Sequence, residues 1–211
     1  MSHPISVTVM TGSIGDATTR VCDHILGGPN KKRITAILPK RSRKKGHTID
    51  GVSVVNTTER LARMGEGCAC CTVRSDLMAK VQRIAKEQTA DHIVIQAAPH
   101  SDLRTLAKTF TVADNDGLVL SDVARIEGFV AVLEAGRFLE KLKTDAARRQ
   151  IESIEMANII VLDGAEGLSA TSYDQIQSVI AALNPHARVE RADDRSFALS
   201  SLSVAEPFDL D

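Results

Sequence analysis

The sequence predicts a doubly wound α/β domain with a mainly parallel sheet. Short apolar runs alternate with segments of helical period along almost the whole chain. The first run, Ile5–Met10, ends in a glycine-containing turn that leads straight into a helix. No composition break, repeat or low-complexity linker divides the 211 residues. Strands and helices in strict alternation require crossover connections, which put helices on both faces of a parallel sheet. Any ligand site then falls at the carboxyl ends of the strands.

Each element has its own signal. Ile5–Met10 reads as a buried strand and 17–26 as a helix. Strands follow at 33–38 and 52–55, then a helix over 76–88 and a strand at His92–Gln96. Residues 101–110 read as a helix and the polar stretch 111–122 as a loop. A strand at 128–133, a helix at 145–156 and a strand at 159–162 come next. The last helix, 172–183, is stopped by Asn184-Pro185, and a final strand covers 187–190.

Composition narrows the function. Hydrophobic residues make up 43% and charged residues 25%, an ordinary globular balance that argues against disorder. Aromatics are only 3%, too few for the stacking platforms of single-stranded nucleic-acid binders. No apolar run approaches the roughly 20 residues a membrane span needs, and the first residues do not read as a signal peptide. A cytoplasmic protein without membrane contact is expected. Charge is uneven: Lys31–Lys45 holds eight basic residues and no acidic one. The run reads either as a solvated loop or as a surface for an anionic partner. Sparse aromatics and an otherwise acidic chain favour a protein partner over nucleic acid. Residues 1–197 are expected to form one domain and 198–211 an acidic tail.

Two local patterns carry chemistry. The first is TGSIGDATTR, in which Gly12 opens the spacing of a phosphate-binding GxxxxGK[ST] loop in a strand-to-helix context. Gly15 lies within it, Ala17 stands at the second glycine position, Thr18 at the lysine position, and Thr19 at the magnesium-holding hydroxyl position. Gly12, Gly15, Thr18 and Thr19 are the candidate nucleotide-binding residues. Asp16 puts a negative charge in the cradle, and a phosphate about 4 Å away would be repelled by roughly 1–4 kcal/mol.

The second pattern is GCACCTVRSDL. Cys68, Cys70 and Cys71 place three thiols within four residues, a set that converges readily on a soft divalent ion such as zinc. A fourth position would be left for water, His, a carboxylate or a passing ligand. Buried structural thiols and a redox role are the competing readings. Cys22, His24 and His100 are further candidates, although isolated residues of these types more often belong to core or surface.

Together these segments resemble the CobW-type P-loop GTPases, relatives of HypB and UreG that serve in metal delivery and cobalamin metabolism. The resemblance runs from VTVMTGSIG through GCACCTVRSDL, DHIVIQAAPHSD, FVAVLEAGRF and RQIESIEMANIIVLDGAEGL to ALNPHARV, about residues 5–190. It implies a P-loop NTPase fold, a metal site at Cys68, Cys70 and Cys71, GTP with magnesium at the glycine loop, and a client metalloprotein as partner. The departures from the family pattern are systematic. Thr18 replaces the loop lysine, and Asp163-Gly164-Ala165-Glu166 stands where Asn-Lys-x-Asp reads guanine. Pro39-Lys40 replaces an Asn-Glu pair, and Gln96-Ala97-Ala98-Pro99 replaces an acidic and hydroxyl-bearing segment. The family's smaller second domain is not expected here. The reading that follows is a metal-binding pseudo-GTPase. The alternatives are an active but atypical GTP-dependent metallochaperone and a non-enzymatic interaction module using the basic loop.

Overall fold

The computed structural model describes residues 3–12, 16–28, 32–39, 52–57, 70–97, 101, 103–113, 117–145, 147–194 and 198–202. The side chains of 57, 70–75 and 201 lie outside that description. Among the described residues the strands are β1 (Ile5–Gly12), β2 (Ile34–Pro39), β3 (Val52–Thr57), β4 (His92–Gln96), β5 (Ala124–Glu134), β6 (Ile159–Asp163) and β7 (Arg188–Arg191). The helices are α1 (Ala17–Gly27), α2 (Cys70–Glu87), α3 (Leu103–Thr111), α4 (Phe138–Lys141), α5 (Ala147–Met156) and α6 (Ala170–Leu183).

All seven strands are parallel, in the order β3-β2-β4-β1-β5-β6-β7. The central strands β1, β2, β4 and β5 are apolar on both faces because both faces are covered. Helix α1 covers one face: Val21, Cys22, Ile25 and Leu26 pack on Met10, Val94, Val132 and Val161. Helices α2 and α3 cover the other over Val7, Val9, Ile93 and Phe129, and α4, α5 and α6 continue it over Ala131, Leu133 and Ile160. This division follows from handedness. Right-handed crossovers that step one way across the sheet lie on one face, and those that step back lie on the other. Leu199 and Leu202 fall within the stretch expected as a tail, yet they are buried on the α1 face.

Two elements start four or more residues earlier than the sequence suggests. Helix α2 begins at Cys70, not residue 76, because the apolar period that reveals it starts only at Leu77. Strand β5 begins at Ala124, not residue 128. Its pairing with β1 slips between Val7 and Thr8, opposite Ile126 and Gly128, and leaves Glu127 as a bulge. That charge interrupts the apolar run but finds a partner, since the Ser6 hydroxyl donates to its carboxylate. Helix α6 is closed as expected at Asn184, whose side-chain amide donates to the carbonyls of Ile154 (2.8 Å) and Ala157 (2.9 Å).

A histidine sits in this core at the amino end of the sheet. His92 is 3% exposed and shares a 2.9 Å hydrogen bond with the Thr8 hydroxyl through Nε2. Its Nδ1 is buried without a partner among the described residues. Burial pushes the imidazole down to about 4, against a smaller opposing pull from Glu127. The folded state therefore binds fewer protons here than the unfolded chain, whose histidine titrates near 6.5. The associated stability is complete above about pH 6.5 and is lost as pH falls through about 4. The loss reaches on the order of 3 kcal/mol. Unfolding free energies of the wild type and His92→Gln, measured between pH 7 and 4, should converge as pH falls. Parallel curves would show that His92 does not carry this dependence.

Candidate functional site

The carboxyl ends of β1, β4, β5 and β6 form the edge on which α1 begins. Strand β1 finishes at Gly12, and α1 starts at Ala17 with exposed Asp16 at its N-cap. Gly12 is required by packing. A Cβ there would collide with the Thr18 hydroxyl and stand 2.7 Å from the Val132 carbonyl oxygen. Thr18 is 5% exposed, and its Oγ1 has no hydrogen-bond partner among the described residues. Gly15 lies outside the described residues.

Thr19 points toward β4. Its Oγ1 accepts a 3.1 Å hydrogen bond from Nε2 of Gln96, the last residue of that strand. Gln96 is held by register opposite Met10, while the Ala97 amide donates to the Met10 carbonyl at 2.8 Å. The other amide atom, Gln96 Oε1, is buried and unpartnered among the described residues. These groups are a poor fit for magnesium, which favours carboxylate, phosphate and water oxygens in strict octahedral geometry. Here the hydroxyl already accepts an amide proton, and its neighbour is a neutral amide. With Thr18 in the lysine position, neither residue of the pair adds positive charge for an outer phosphate.

Charge appears at the next residue of the helix. Arg20 donates to Asp163 at 2.5 Å, joining the first turn of α1 to the end of β6. Asp163 lies beside Glu134 in the β5–β6 register, and Lys141 of α4 donates to Glu134 at 2.9 Å. Opposite charges reinforce one another along this row. The hydrogen bond from Lys141 holds the Glu134 carboxyl below the usual range, and the bond to Asp163 holds the Arg20 guanidinium above its own. Asp163 is followed by Gly164 in a left-handed turn (φ 74°) that leads into a short helical turn, Ala165–Gly167. Within that turn Ala165 is buried and Glu166 exposed. Arg20, Glu134 and Lys141 carry no sequence motif. They are joined by spatial contacts, the first across 143 positions of chain.

Two residues of the cysteine motif open α2, the helix between β3 and β4. Cys70 and Cys71 are the first two residues of α2, and a helix that connects parallel strands starts at their carboxyl ends. Cys68 and the side chains of Cys70 and Cys71 lie outside the described residues, as does His100. Among the described residues no three His, Cys, Asp or Glu side chains are grouped for a metal ion. Cys22 is buried in the apolar face of α1, and His24 is exposed. Of the basic run, Lys31 and Lys40–Lys45 lie outside the described residues. Arg33 is committed to structure: it donates to Asp91 (2.7 Å) and to the Gln88 carbonyl (2.7 Å). Its hydrogen bonds hold the Asp91 carboxyl down to about 2.

Comparison with known proteins places this edge in context. The zinc-regulated GTPase metalloprotein activator 1 of Dictyostelium discoideum is 25% identical over an alignment covering 98% of this chain and 49% of the relative. The zinc chaperone CobW of a Sinorhizobium species is 24% identical, covering 84% of this chain and 56% of the relative. The chain thus spans about half the length of these curated relatives. The crystal structure of the Zn(II)-bound YjiA GTPase from E. coli superposes with a TM-score of 0.72 at 18% identity, covering 100% of this chain and 64% of that one. That likeness establishes the fold alone, a doubly wound parallel sheet of the P-loop NTPase type. The family model described as the CobW/HypB/UreG nucleotide-binding domain matches residues 6–191, and the chain belongs to that family.

Proposed function

We propose that this chain is a CobW-type metal-handling protein that carries a soft divalent ion, zinc or cobalt, toward a client metalloprotein in the cytoplasm. Cys68, Cys70 and Cys71 are the proposed ligands. Three thiolates leave one coordination position exchangeable, which suits a carrier better than a closed four-ligand structural site. The helix that begins at Cys70 favours the thiolate form, because its unpaired amides stabilise negative charge. The names of the relatives, a zinc-regulated activator and a zinc chaperone, support the choice of ion.

The proposal includes weak or absent GTP hydrolysis. The observation that carries it is the hydrogen-bonded neutral pair Thr19–Gln96 beside buried Thr18. Phosphoryl transfer depends on positive charge placed at the developing oxyanions. Neither this pair nor Thr18 supplies it, so the scaffold serves to position the cysteine helix and a docking surface rather than to turn over nucleotide.

Two measurements test the reading. Cobalt titration under reducing conditions should give a thiolate charge-transfer band that weakens as pH falls, because the ligands must lose protons to bind. The Cys68/Cys70/Cys71 triple Ser variant should lack the band, and unchanged binding in that variant would overturn the ligand assignment. In the second, GTP turnover should be at background in the wild type and unaffected by Thr19→Ala. The double change Thr18→Lys with Gln96→Asp should raise magnesium-dependent turnover by about 10²-fold or more. Turnover in the wild type that is lost on Thr19→Ala would show a working site.

A further inference from the structure

Helices α2 and α3 cover the same face of the sheet and touch each other. In α2, Leu77, Val81 and Ile84 are buried against the sheet, and helical period turns Ala79, Arg83 and Lys86 outward. In α3, Leu106 and Phe110 are buried, which turns Lys108 outward with Val112 just past the helix end and Arg104 to one side. Arg83, Lys86 and Lys108 make no ion pair among the described residues. Lys80 is paired with Asp76. Exposed acids here are Glu87 on α2 and Asp122 on the turn Leu120–Asp122, which packs against both helices. Cations therefore prevail on this surface of a chain whose net charge is -1. The other helices of this side differ: Arg148 of α5 is paired with Glu152, and α6 carries no cation. Val112 and Leu118, 46% and 38% exposed, are the exposed large hydrophobic residues among the described residues, and both lie on the segment leaving α3. Unpaired cations beside exposed apolar side chains suit an anionic protein surface.

We propose that the outer face of α2 and α3 is where the metal-receiving protein docks, and that this partner presents an acidic segment around an empty metal site. The inference rests on the carrier reading and deepens it. Arg83 follows Cys70 on the same helix at a rise of about 20 Å, so one small domain can span the basic face and the cysteine end. An empty site for a soft divalent ion is a cluster of thiolates and carboxylates and is anionic; a bound ion cancels two of those charges. The basic face therefore holds an empty acceptor more tightly than a filled one, and charge complementarity gives the transfer its direction. Nucleic acid would meet the same cations, but its phosphate backbone gives Val112 and Leu118 nothing apolar to cover them.

The probe is a fluorescein-labelled peptide of Asp and Glu residues around two pairs of Cys, either empty in EDTA or saturated with zinc. Binding is followed by anisotropy with the full chain carrying the Cys68/Cys70/Cys71 triple Ser change, so that no ion bridges the two thiol sets. The empty peptide should bind, with affinity that falls as salt rises from about 0.1 M to about 1 M. Joint reversal by Arg83→Glu, Lys86→Glu and Lys108→Glu should weaken binding about tenfold or more at low salt. Val112→Ser should weaken it severalfold, and so should filling the peptide with zinc. The charge-conserving pair Arg83→Lys and Lys108→Arg should bind as the parent does, which separates lost charge from lost fold. The loop variant Arg41/Arg43/Lys44/Lys45→Ser should also bind normally. Undiminished binding by the reversed variant, loss in the loop variant instead, or equal affinity for empty and filled peptide overturns the proposal. So does tighter binding of a DNA duplex of equal charge, or no binding of the peptide at all. The ligand assignment fails separately: docking is measured without the thiols, and with the cysteines intact the reversed variant should keep the cobalt–thiolate band.

Discussion

Helix α1 lies so close to the carboxyl ends of β1 and β5 that residue 12 has no room for a side chain. That approach fixes the rest of the edge. It turns Thr18 inward against Gly12, sets Thr19 within reach of Gln96 on β4, and leaves Arg20 to meet Asp163 on β6. Moving α1 outward to admit even a methyl group would lengthen all three contacts at once. Gly12→Ala would therefore disturb both the packing of the α1 face and the polar arrangement above it.

The frame of this edge is independent of the side chains that stand at its nucleotide-motif positions. The frame depends on apolar burial: β1, β4, β5 and β6 are packed on both sides, and α1 presents a continuous stripe to one of them. None of that depends on the residues that would grip a phosphate or a metal. Substituting a hydroxyl for an ammonium at Thr18, or an amide for a carboxylate at Gln96, leaves the packing intact, because each replacement is small or finds a neutral partner. The charged side chains of this edge form the row Arg20, Asp163, Glu134 and Lys141.

Most of the fold was legible because the strands of a covered parallel sheet are written as unbroken apolar runs; His92–Gln96 matches to the residue. Errors arose where a local exception hid the pattern. The Glu127 bulge masked the first residues of β5, and the polar start of α2 hid its continuity with the cysteines. At the site, sequence spacing singled out Gly12, Thr18 and Thr19 as candidates. It could not show the contacts around them: the pairing of Thr19 with Gln96 spans 77 positions and that of Arg20 with Asp163 spans 143. Such contacts are set by strand order, which periodicity does not encode.

That strand order also governs assembly in time. β1 is made first but lies between β4 and β5, so both of its neighbours are synthesised about 80 residues or more after it. The α1 face is closed last of all, by Leu199 and Leu202. A nascent chain therefore holds this central strand without a neighbouring strand until about 80 further residues are made, and contacts of such long sequence separation form slowly. The demand for help during synthesis is built into the position of the first strand, whatever chemistry the finished edge performs.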